Sequence, residues 1–427
     1  MYTQENKVLK CLLVGGNKVF EQEDKEIASQ SLDELSSLAY TLGLSVKGSI
    51  LLNLRKINPS IFYGKGQIDS LCRKADLLDC KYIVFNDEIT AAQFKNIQKQ
   101  CEKKVIFDRT GIILEIFKNN AKTKESKFQV ELASLQYMLP RLTRKWTHLE
   151  RQMGGTGTRG GPGEKQIEID RRLIGVRITK LKNELAKIKQ IRQVQSNSRK
   201  KTFRVSLVGY TNAGKSSLLN SLSGPGTTYV ENKLFATLDT TTRRIQSGKG
   251  QEFLLTDTVG LIQNLPHDLV ASFRSTFEEV KNSDLIIVVV DSSSPRKVIS
   301  EHISTINTTL DSMNIDLKES LLVFNKVDSL VGFEKVSYLR KSFPDSVFVS
   351  AKEFIKIDEL LDSIALKAGK NNQVRNINIS YSKSFLISDI YERFIVKERK
   401  DNFEFIEMRL EGSVVELDRL ERLLSDD

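Results

Sequence analysis

Residues 209–216 read GYTNAGKS, and this stretch decides how the rest of the sequence is interpreted. It matches G-x-x-x-x-G-K-[ST], a pattern in which the backbone N–H groups of a glycine-rich loop surround phosphate groups. The apolar run FRVSLV at 203–208 comes before it, and SLLNSL at 217–222 has the spacing of an amphipathic helix. Strand, loop and helix therefore follow the order of a phosphate-binding P-loop, and an accidental strand–helix turn is the less favoured alternative.

Three later motifs specify the nucleotide. The predicted strand EFLLTDTVG ends in D-x-x-G, which places Asp257 to hold Mg2+ through water and the Gly260 N–H to meet a γ-phosphate. The predicted strand SLLVFNKVD ends in N-K-x-D, and the Asp328 carboxylate can accept hydrogen bonds from guanine N1–H and N2–H2, which adenine lacks. The turn Ser350–Lys352 can contact the base oxygen. The occurrence of the P-loop, D-x-x-G, N-K-x-D and this turn in that order along the chain predicts GTP as the ligand in preference to ATP.

The residues around D-x-x-G predict how hydrolysis is controlled. LFATLDTTTRR at 234–244 lies where GTP switches supply a Thr to Mg2+, and a surface Thr cluster is the alternative. Many switches place a Gln directly after D-x-x-G to orient water, but this chain has Leu261 there. Since an apolar side chain cannot orient water by hydrogen bonding, we expect slow intrinsic hydrolysis that a partner stimulates. The Thr candidates are Thr237, Thr240, Thr241 and Thr242.

The chain is long enough, at 427 residues, for about two to four domains. Short apolar runs alternate with helical patterns before residue 120, which predicts a small parallel α/β domain. We expect an α/β multidomain fold in which a P-loop GTPase domain follows this domain and a long helical hairpin, and precedes a small α+β domain. The expected boundaries are 1–120, 121–200, 201–370 and 371–427.

The positive charge of the protein is concentrated in the predicted hairpin, whose excess exceeds the net charge of the whole chain. Residues 121–202 have 20 Lys and Arg against 7 Asp and Glu, an excess of +13 in a protein whose net charge is +11. Two stripes of apolar residues, the first containing Pro140, flank the glycine-rich stretch GGTGTRGGPGEKQ at 154–166. This pattern indicates two helices joined by a tip that contacts an anionic partner such as nucleic acid, with a flexible linker as the alternative.

Other features favour an intracellular protein. The four Cys (Cys11, Cys72, Cys80 and Cys101) form no C-x-x-C pair, so reduced, small apolar residues are favoured over zinc ligands or disulfides. The N-terminus does not resemble a signal peptide, and the longest apolar run, LIIVVV, is too short to span a bilayer. We therefore expect a cytoplasmic protein without a membrane span. The turn YGKG at 63–66 could bind an anion or simply begin a helix.

The sequence resembles the HflX family of ribosome-associated GTPases over nearly its whole length. The motifs GGTGTRGGPGEKQIEIDRRLI, GYTNAGKSSLLN, LFATLD, DTVG, NKVD, FYGKG and RKWTHLERQ carry the resemblance. The chain departs from the usual family pattern at Gly160–Gly161, where one Gly is usual, at Lys165, where Thr is usual, and at Thr240, where Pro is usual.

The resemblance and the motifs together select the site residues. Lys215, Gly260 and Thr237 are expected to be catalytic. The P-loop motif assigns Mg2+ to Ser216, and the resemblance assigns it to Thr237 as well. The expected ribosome-binding tip comprises Gly154, Gly155, Gly157, Arg159, Gly161 and Gly163. The residues expected to bind GTP are Gly209, Tyr210, Thr211, Asn212, Ala213, Gly214, Lys215, Ser216, Ser217, Phe235, Ala236, Thr237, Leu238, Asp239, Asp257, Thr258, Val259, Gly260, Asn325, Lys326, Val327, Asp328, Ser350, Ala351 and Lys352.

The resemblance implies a Mg2+-dependent GTPase that converts GTP to GDP, binds the large ribosomal subunit and its RNA, and splits stalled or stress-arrested ribosomes. We expect it to be a monomer. It also implies ATP binding by the N-terminal domain, for which YGKG is the available sequence feature. Two alternatives remain open: a GTPase of large-subunit assembly, and a nucleotide-gated RNA-binding module that acts away from the ribosome.

Overall fold

The computed structural model describes residues 9–19, 25–142, 166–198, 202–224, 234–235, 237–246, 252–262, 274–316, 320–330, 333–369 and 372–425. The chain forms two compact units, each with its own internal contacts. The first comprises residues 1–190, 232–238 and 264–274, and the second comprises residues 191–231, 239–263 and 275–427. The expected α/β multidomain architecture is confirmed by the sheets and helices of these units. Among the described residues, no helix combines the length and apolar character needed to cross a membrane.

The N-terminal unit contains a parallel sheet of strand order β2-β1-β3-β4. Its two central strands, β1 and β3, are buried over most of their length, as in parallel sheets whose faces are covered by helices. The predicted alternation of short strands and helices is present. The helix at 109–120 has no single apolar stripe and was not predicted. The elements are β1 (Lys10–Lys18), α1 (Lys25–Thr41), β2 (Ser45–Leu54), α2 (Lys65–Leu77), β3 (Tyr82–Phe85), α3 (Ala91–Gln100), β4 (Val105–Asp108) and α4 (Arg109–Asn120).

A buried charged network joins the end of the parallel sheet to the helix that follows. The Asp108 side chain caps α4 by accepting the Gly111 N–H at 2.8 Å. It also accepts the Tyr137 hydroxyl at 2.6 Å and an Arg141 Nη2–H at 3.3 Å. Asp108 is fully buried, and burial raises the pKa of its carboxyl group. The network fixes residues 137–141 to the end of β4.

The predicted hairpin helices are α5 (Lys124–Met138) and α6 (Gln166–Ser198). They share an apolar cluster that includes Leu132, Leu135, Ile174 and Leu181. Arg177 forms a bidentate ion pair with Glu131, with Nε–Oε1 and Nη2–Oε2 distances of 2.6 and 2.7 Å. Helix α5 ends before a 3₁₀ turn at Leu139–Arg141, because Pro140 cannot continue an α-helix. The predicted tip, Gly154–Gly163, lies outside the described residues.

The cysteine expectation is wrong for Cys72 and Cys101, which form a disulfide with a Cα–Cα distance of 5.9 Å. Cys72 lies on α2, and Cys101 is the C-terminal cap of α3. The two residues are 29 positions apart, so packing of these helices brings them together without a local sequence signal. Cys11 and Cys80 are buried thiols, and burial raises the pKa of Cys11 to about 12.

The second unit contains a sheet of order β10-β9-β8-β5-β7-β6, in which β6 pairs antiparallel with β7 and the other pairs are parallel. The P-loop strand β5 lies between β8 and β7, so that their carboxyl ends meet at one edge. The elements are β5 (Phe203–Gly209), α7 (Lys215–Leu222), β6 (Thr241–Gln246), β7 (Glu252–Asp257), α8 (Arg274–Lys281), β8 (Leu285–Asp291), α9 (Arg296–Ser312), β9 (Ser320–Asn325), α10 (Phe333–Ser342), β10 (Val347–Phe348) and α11 (Ile357–Gly369).

The C-terminal region of this unit forms an antiparallel sheet of order β11-β13-β12 with an apolar core shared with two helices. Its predicted α+β character is confirmed. Strand β12 reads IVKERKD and was not predicted, because a charged edge strand lacks alternating apolar residues. The elements are β11 (Asn372–Ser380), α12 (Leu386–Arg393), β12 (Ile395–Asp401), β13 (Phe405–Ser413) and α13 (Val414–Ser425).

Candidate nucleotide-binding site

The P-loop joins β5 directly to α7, as its sequence predicts. The helix begins at Lys215, and Gly214 before it has φ +89°, a conformation that favours glycine. A Cβ atom at Gly214 would overlap the side-chain amide nitrogen of Asn325. Glycine at position 214 is therefore required by the backbone conformation and by the close approach of Asn325.

Lys215 lies inside the loop. Its Nζ donates hydrogen bonds to the carbonyl oxygens of Gly209 at 3.1 Å and Tyr210 at 3.0 Å. Burial lowers the pKa of Lys215 to about 8, although the nearby carboxylate of Asp257 favours the charged form. An ammonium group surrounded by loop carbonyls can exchange these acceptors for phosphate oxygens at little cost in solvation.

The ends of α7 and β7 supply oxygen ligands of the kind that Mg2+ prefers. The Ser216 hydroxyl donates to Asp257 Oδ2 at 2.6 Å, and Asp257 is almost fully buried. No group of three or more His, Cys, Asp or Glu side chains that could hold a metal occurs in the described part of the chain. A hydroxyl and one carboxylate instead fit a Mg2+ ion that takes its remaining ligands from nucleotide phosphates and water.

The residues after Asp257 pair with the backbone of the P-loop. The Leu261 N–H donates to the Gly209 carbonyl at 3.0 Å, and the Leu261 carbonyl accepts the Thr211 N–H at 2.7 Å. Gly260 lies so close that an added Cβ would stand 2.9 Å from Thr211 Cα. Leu261 is 1% exposed, so its side chain packs in the interior. This placement agrees with the expectation that Leu261 does not orient a water molecule.

Asn325 links the P-loop to the turn at 350–352. Its Nδ2 donates to the Ala213 carbonyl at 2.9 Å, and its Oδ1 accepts the Ala351 N–H at 3.0 Å. Asn325 is 2% exposed and lies at the end of β9. A single amide side chain therefore holds the phosphate-binding loop and the predicted base-binding turn in one arrangement.

Asp328 is exposed and its orientation is fixed by hydroxyl groups. Ser350 Oγ donates to Oδ1 at 2.5 Å, and Ser329 Oγ donates to Oδ2 at 3.1 Å. The hydrogen bond from Ser350 is the main cause that lowers the pKa of Asp328, with a further contribution from Ser329. The carboxylate is thus ionised at neutral pH, as acceptance of two guanine N–H groups requires. Lys352, also predicted here, is exposed and pairs with Glu353 at 3.1 Å.

Other residues of this region were missed by the sequence analysis. Asp291 is the last residue of β8 and contacts Lys326, and Ser292 follows it and contacts Asn325. Their position directly after an apolar central strand is the signal that could have found them. His302 of α9 stacks on Tyr210, with ring centroids 3.7 Å apart and planes at 11°. Because α9 packs beside β8, this stacking follows from the fold and not from a local motif.

The first part of the predicted switch segment, residues 234–238, is grouped with the N-terminal unit. The Phe235 ring meets the Phe117 ring edge-on, with centroids 4.7 Å apart, and the Phe235 carbonyl accepts an Asn120 Nδ2–H at 2.8 Å. The Leu234 N–H donates to Thr41 Oγ1 at 3.3 Å. Thr237 follows two residues after Phe235 in this segment, whereas Ala236 lies outside the described residues. The Mg2+ role of Thr237 stays a prediction.

The predicted P-loop, D-x-x-G, N-K-x-D and 350–352 segments meet at the carboxyl ends of β5, β7 and β9, which is the arrangement of a P-loop GTPase domain. Residues 204–326 match the family description "50S ribosome-binding GTPase". Residues 29–118 and 120–199 match "GTP-binding GTPase N-terminal" and "GTP-binding GTPase Middle Region".

Curated relatives extend this agreement over most of the chain. The "GTPase HflX" of Magnetococcus marinus is 40% identical over 401 residues, covering 93% of this chain and 91% of the relative. The "GTPase HflX" of Escherichia coli is 36% identical over 406 residues, covering 94% of each. The chain belongs to the HflX family of GTPases, and it is a GTP-hydrolysing enzyme.

A solved structure of a GTP-binding protein from Sulfolobus solfataricus, in complex with GDP, is also similar. It is 24% identical, covers 84% of this chain and 99% of its own, and superimposes with a TM-score of 0.43.

Proposed function

We propose that this GTPase binds the large ribosomal subunit and its RNA in the GTP-bound form and splits stalled or stress-arrested ribosomes, and that the ribosome stimulates its hydrolysis of GTP. The match of residues 204–326 to a family described as 50S ribosome-binding GTPases is the observation that carries this proposal. The two relatives described above, which each match more than nine-tenths of this chain, are GTPases of the same family.

The site residues act on the nucleotide as follows. Lys215 contacts the β- and γ-phosphates, and the Gly260 N–H contacts the γ-phosphate. Ser216 and Thr237 would hold Mg2+, with Asp257 acting through water. Mg2+ in such a site neutralises charge on the phosphate oxygens. The other residues proposed to contact the phosphates of GTP are the P-loop and switch residues predicted above.

Base recognition rests on the loop after β9. Asp328 accepts the N1–H and N2–H2 groups of guanine, and the stem of Lys326 lies along the face of the base. Asn325 supports both ends of the site through its contacts with Ala213 and Ala351. GTP is the substrate and GDP the product.

Leu261 makes the intrinsic hydrolysis slow. Its side chain is buried, and its backbone is paired with Gly209 and Thr211. No hydrogen-bonding group at this position orients the attacking water, so the ribosome must complete the site. Fast single-turnover hydrolysis in the absence of ribosomes would contradict this part of the proposal.

The basic hairpin supplies the electrostatic affinity for ribosomal RNA. Cationic side chains are exposed along α6 at Arg171, Arg172, Lys180, Lys182, Lys187 and Lys189. The glycine-rich tip, including Arg159, is the segment proposed to reach the functional centre of the large subunit. Deletion of residues 154–163 should leave GTP binding intact and impair splitting, and unimpaired splitting would contradict the role of the tip.

The boundaries 1–120, 121–200, 201–370 and 371–427 are proposed as the functional divisions of a monomeric, cytoplasmic protein. ATP binding by the N-terminal domain stays a prediction. In the structure, Gly64 of YGKG is the N-terminal cap of α2, and its N–H donates to Gln67 Oε1 at 2.8 Å. This contact supports the helix-start interpretation of YGKG.

Sucrose-gradient profiles of intact ribosomes test the proposal. With GTP or a non-hydrolysable analogue, the protein should sediment with large subunits and the peak of whole ribosomes should shrink, whereas GDP should leave both unchanged. Preference for immature large-subunit particles would instead support the assembly alternative. Crosslinking to RNAs other than ribosomal RNA would support the RNA-binding alternative.

A further inference from the structure

The last residue of β8, Asp291, and the residue that follows it, Ser292, hold the guanine-binding loop. Ser292 is fully buried, and both its N–H and its hydroxyl donate to the Asn325 carbonyl, at 2.9 and 2.7 Å. Asp291 Oδ2 accepts a hydrogen bond from Lys326 Nζ at 2.8 Å. The backbone and the side chain of the N-K-x-D loop are thus both attached to one turn.

The Asp291 carboxylate is itself held in a fixed orientation. Its Oδ1 accepts the Ser293 N–H at 2.8 Å and the Ser293 hydroxyl at 2.5 Å. On the far side of the turn, Lys335 Nζ donates to the carbonyl oxygens of Ser293 and Ser294 at 2.9 and 2.6 Å. The other oxygen of Asp291, Oδ2, is therefore left to face Lys326.

Lys326 has a backbone that needs such support. Its φ is +63°, in the left-handed region that non-glycine residues rarely adopt. Its side chain has many rotamers in solution, and fixing them on binding costs conformational entropy. An ion pair that already holds the ammonium group removes part of this cost from nucleotide binding, because the end of the side chain is fixed before the base arrives.

We infer that Asp291 is a positioning residue for guanine-nucleotide binding, which acts by holding the stem of Lys326 in the place where the base stacks. This inference rests on the proposed binding of guanine by Lys326 and Asp328. Asp291 contributes to affinity for the purine ring as a whole, whereas Asp328 determines which purine is bound. Substitution of Asp291 should therefore change the affinity for all purine nucleotides equally, whereas substitution of Asp328 should change the preference among them.

Dissociation constants for GDP and for IDP, which lacks the 2-amino group, separate these roles. Asp291→Asn should weaken both nucleotides by the same factor, about five- to tenfold for a partly buried ion pair. Lys326→Met keeps an apolar stem without the ammonium group and should weaken both to a similar degree. The double variant should be no weaker than Lys326→Met, because Asp291 acts through the Lys326 ammonium.

Matched controls keep the test interpretable. Glu359→Gln removes a surface ion pair with Lys356 and should leave both constants unchanged. Ser293→Ala frees one hydrogen bond of the Asp291 carboxylate and should weaken both nucleotides about twofold. This second variant tests the inference even if Asp291→Asn fails to fold, which its melting temperature would reveal.

Three results would overturn the inference. The first is a ratio of GDP to IDP affinity that changes in Asp291→Asn. The second is a double variant whose loss of affinity equals the product of the losses in Asp291→Asn and Lys326→Met, and the third is unchanged affinity in both Asp291→Asn and Ser293→Ala. Asp328→Asn tests the underlying site separately. It should favour XDP over GDP, and a retained preference for GDP would refute the guanine site itself and not the role of Asp291 in it.

Discussion

The exposed cations of α6 predict how steeply ribosome binding falls as salt concentration rises. In the described stretch of this helix, the exposed Lys and Arg side chains are Arg171, Arg172, Lys180, Lys182, Lys187 and Lys189. If these six groups each neutralise a phosphate, the slope of log affinity against log salt is about −5. Affinity should then fall about a thousandfold between 50 and 200 mM monovalent salt.

A triple substitution tests the assignment of this effect to α6. Arg171→Gln, Lys180→Gln and Lys182→Gln together should reduce the steepness of the slope by about 3, since each lost phosphate contact contributes about 0.9. Affinity for large subunits should be measured by co-sedimentation at constant Mg2+ and several salt concentrations, with a non-hydrolysable GTP analogue. GTP binding should be unchanged, because these residues lie on the hairpin and not on the P-loop domain.

The matched control removes the same amount of charge elsewhere. Lys397→Gln, Lys400→Gln and Arg409→Gln neutralise three cations of the C-terminal sheet, where residues 371–427 carry an excess of negative charge. This control should keep the wild-type slope. Two results would refute the assignment of the electrostatic contact to α6. One is a wild-type slope of log affinity against log salt that is shallower than about −2, and the other is an equal change of this slope in both triple variants.

Three further predictions concern buried groups. Burial lowers the pKa of Lys215 from 10.5 to about 8, so between these pH values the unfolded state binds more protons than the folded state. The free energy of unfolding of the wild type should therefore rise by about 2 kcal/mol between pH 7.5 and 9.5, relative to that of Lys215→Met. A melting-temperature difference that does not change with pH would contradict this. Asp108→Asn leaves the buried Arg141 without its carboxylate and should cost about 3–5 kcal/mol in urea unfolding followed by circular dichroism; a loss below about 1 kcal/mol would show that the network is not tightly coupled. Alkylation of the denatured protein should label two thiols before reduction and four after it, and four before reduction would exclude the Cys72–Cys101 disulfide.

The nucleotide site could be predicted from sequence because its chemistry is local. The P-loop, D-x-x-G and N-K-x-D each lie at the end of a strand, and each motif fixes which backbone or side-chain group points to the ligand. The near-continuous apolar strand LIIVVVD also predicted its own burial, because helices cover both faces of a parallel sheet. These features need no knowledge of distant contacts.

The features that were missed depend on contacts between distant parts of the chain. Asp291 was not selected because its function arises from β8 pairing with β9, which brings Lys326 within 2.8 Å. The pairing of Cys72 with Cys101 arises from helix packing in the same way. Helix α4 was missed because RTGIILEIFKNN is buried on most sides, so its apolar residues do not form a single stripe.

An altered-specificity variant tests the central claim, that the nucleotide in this site controls action on the ribosome. Asp328→Asn exchanges the acceptor carboxylate for an amide that can donate to the C2 oxygen of xanthine. Splitting of intact ribosomes should be followed by light scattering with GTP or XTP. The account predicts splitting by the wild type with GTP only and by Asp328→Asn with XTP only. Splitting by Asp328→Asn that is equally fast with GTP, or that needs no nucleotide, would contradict it.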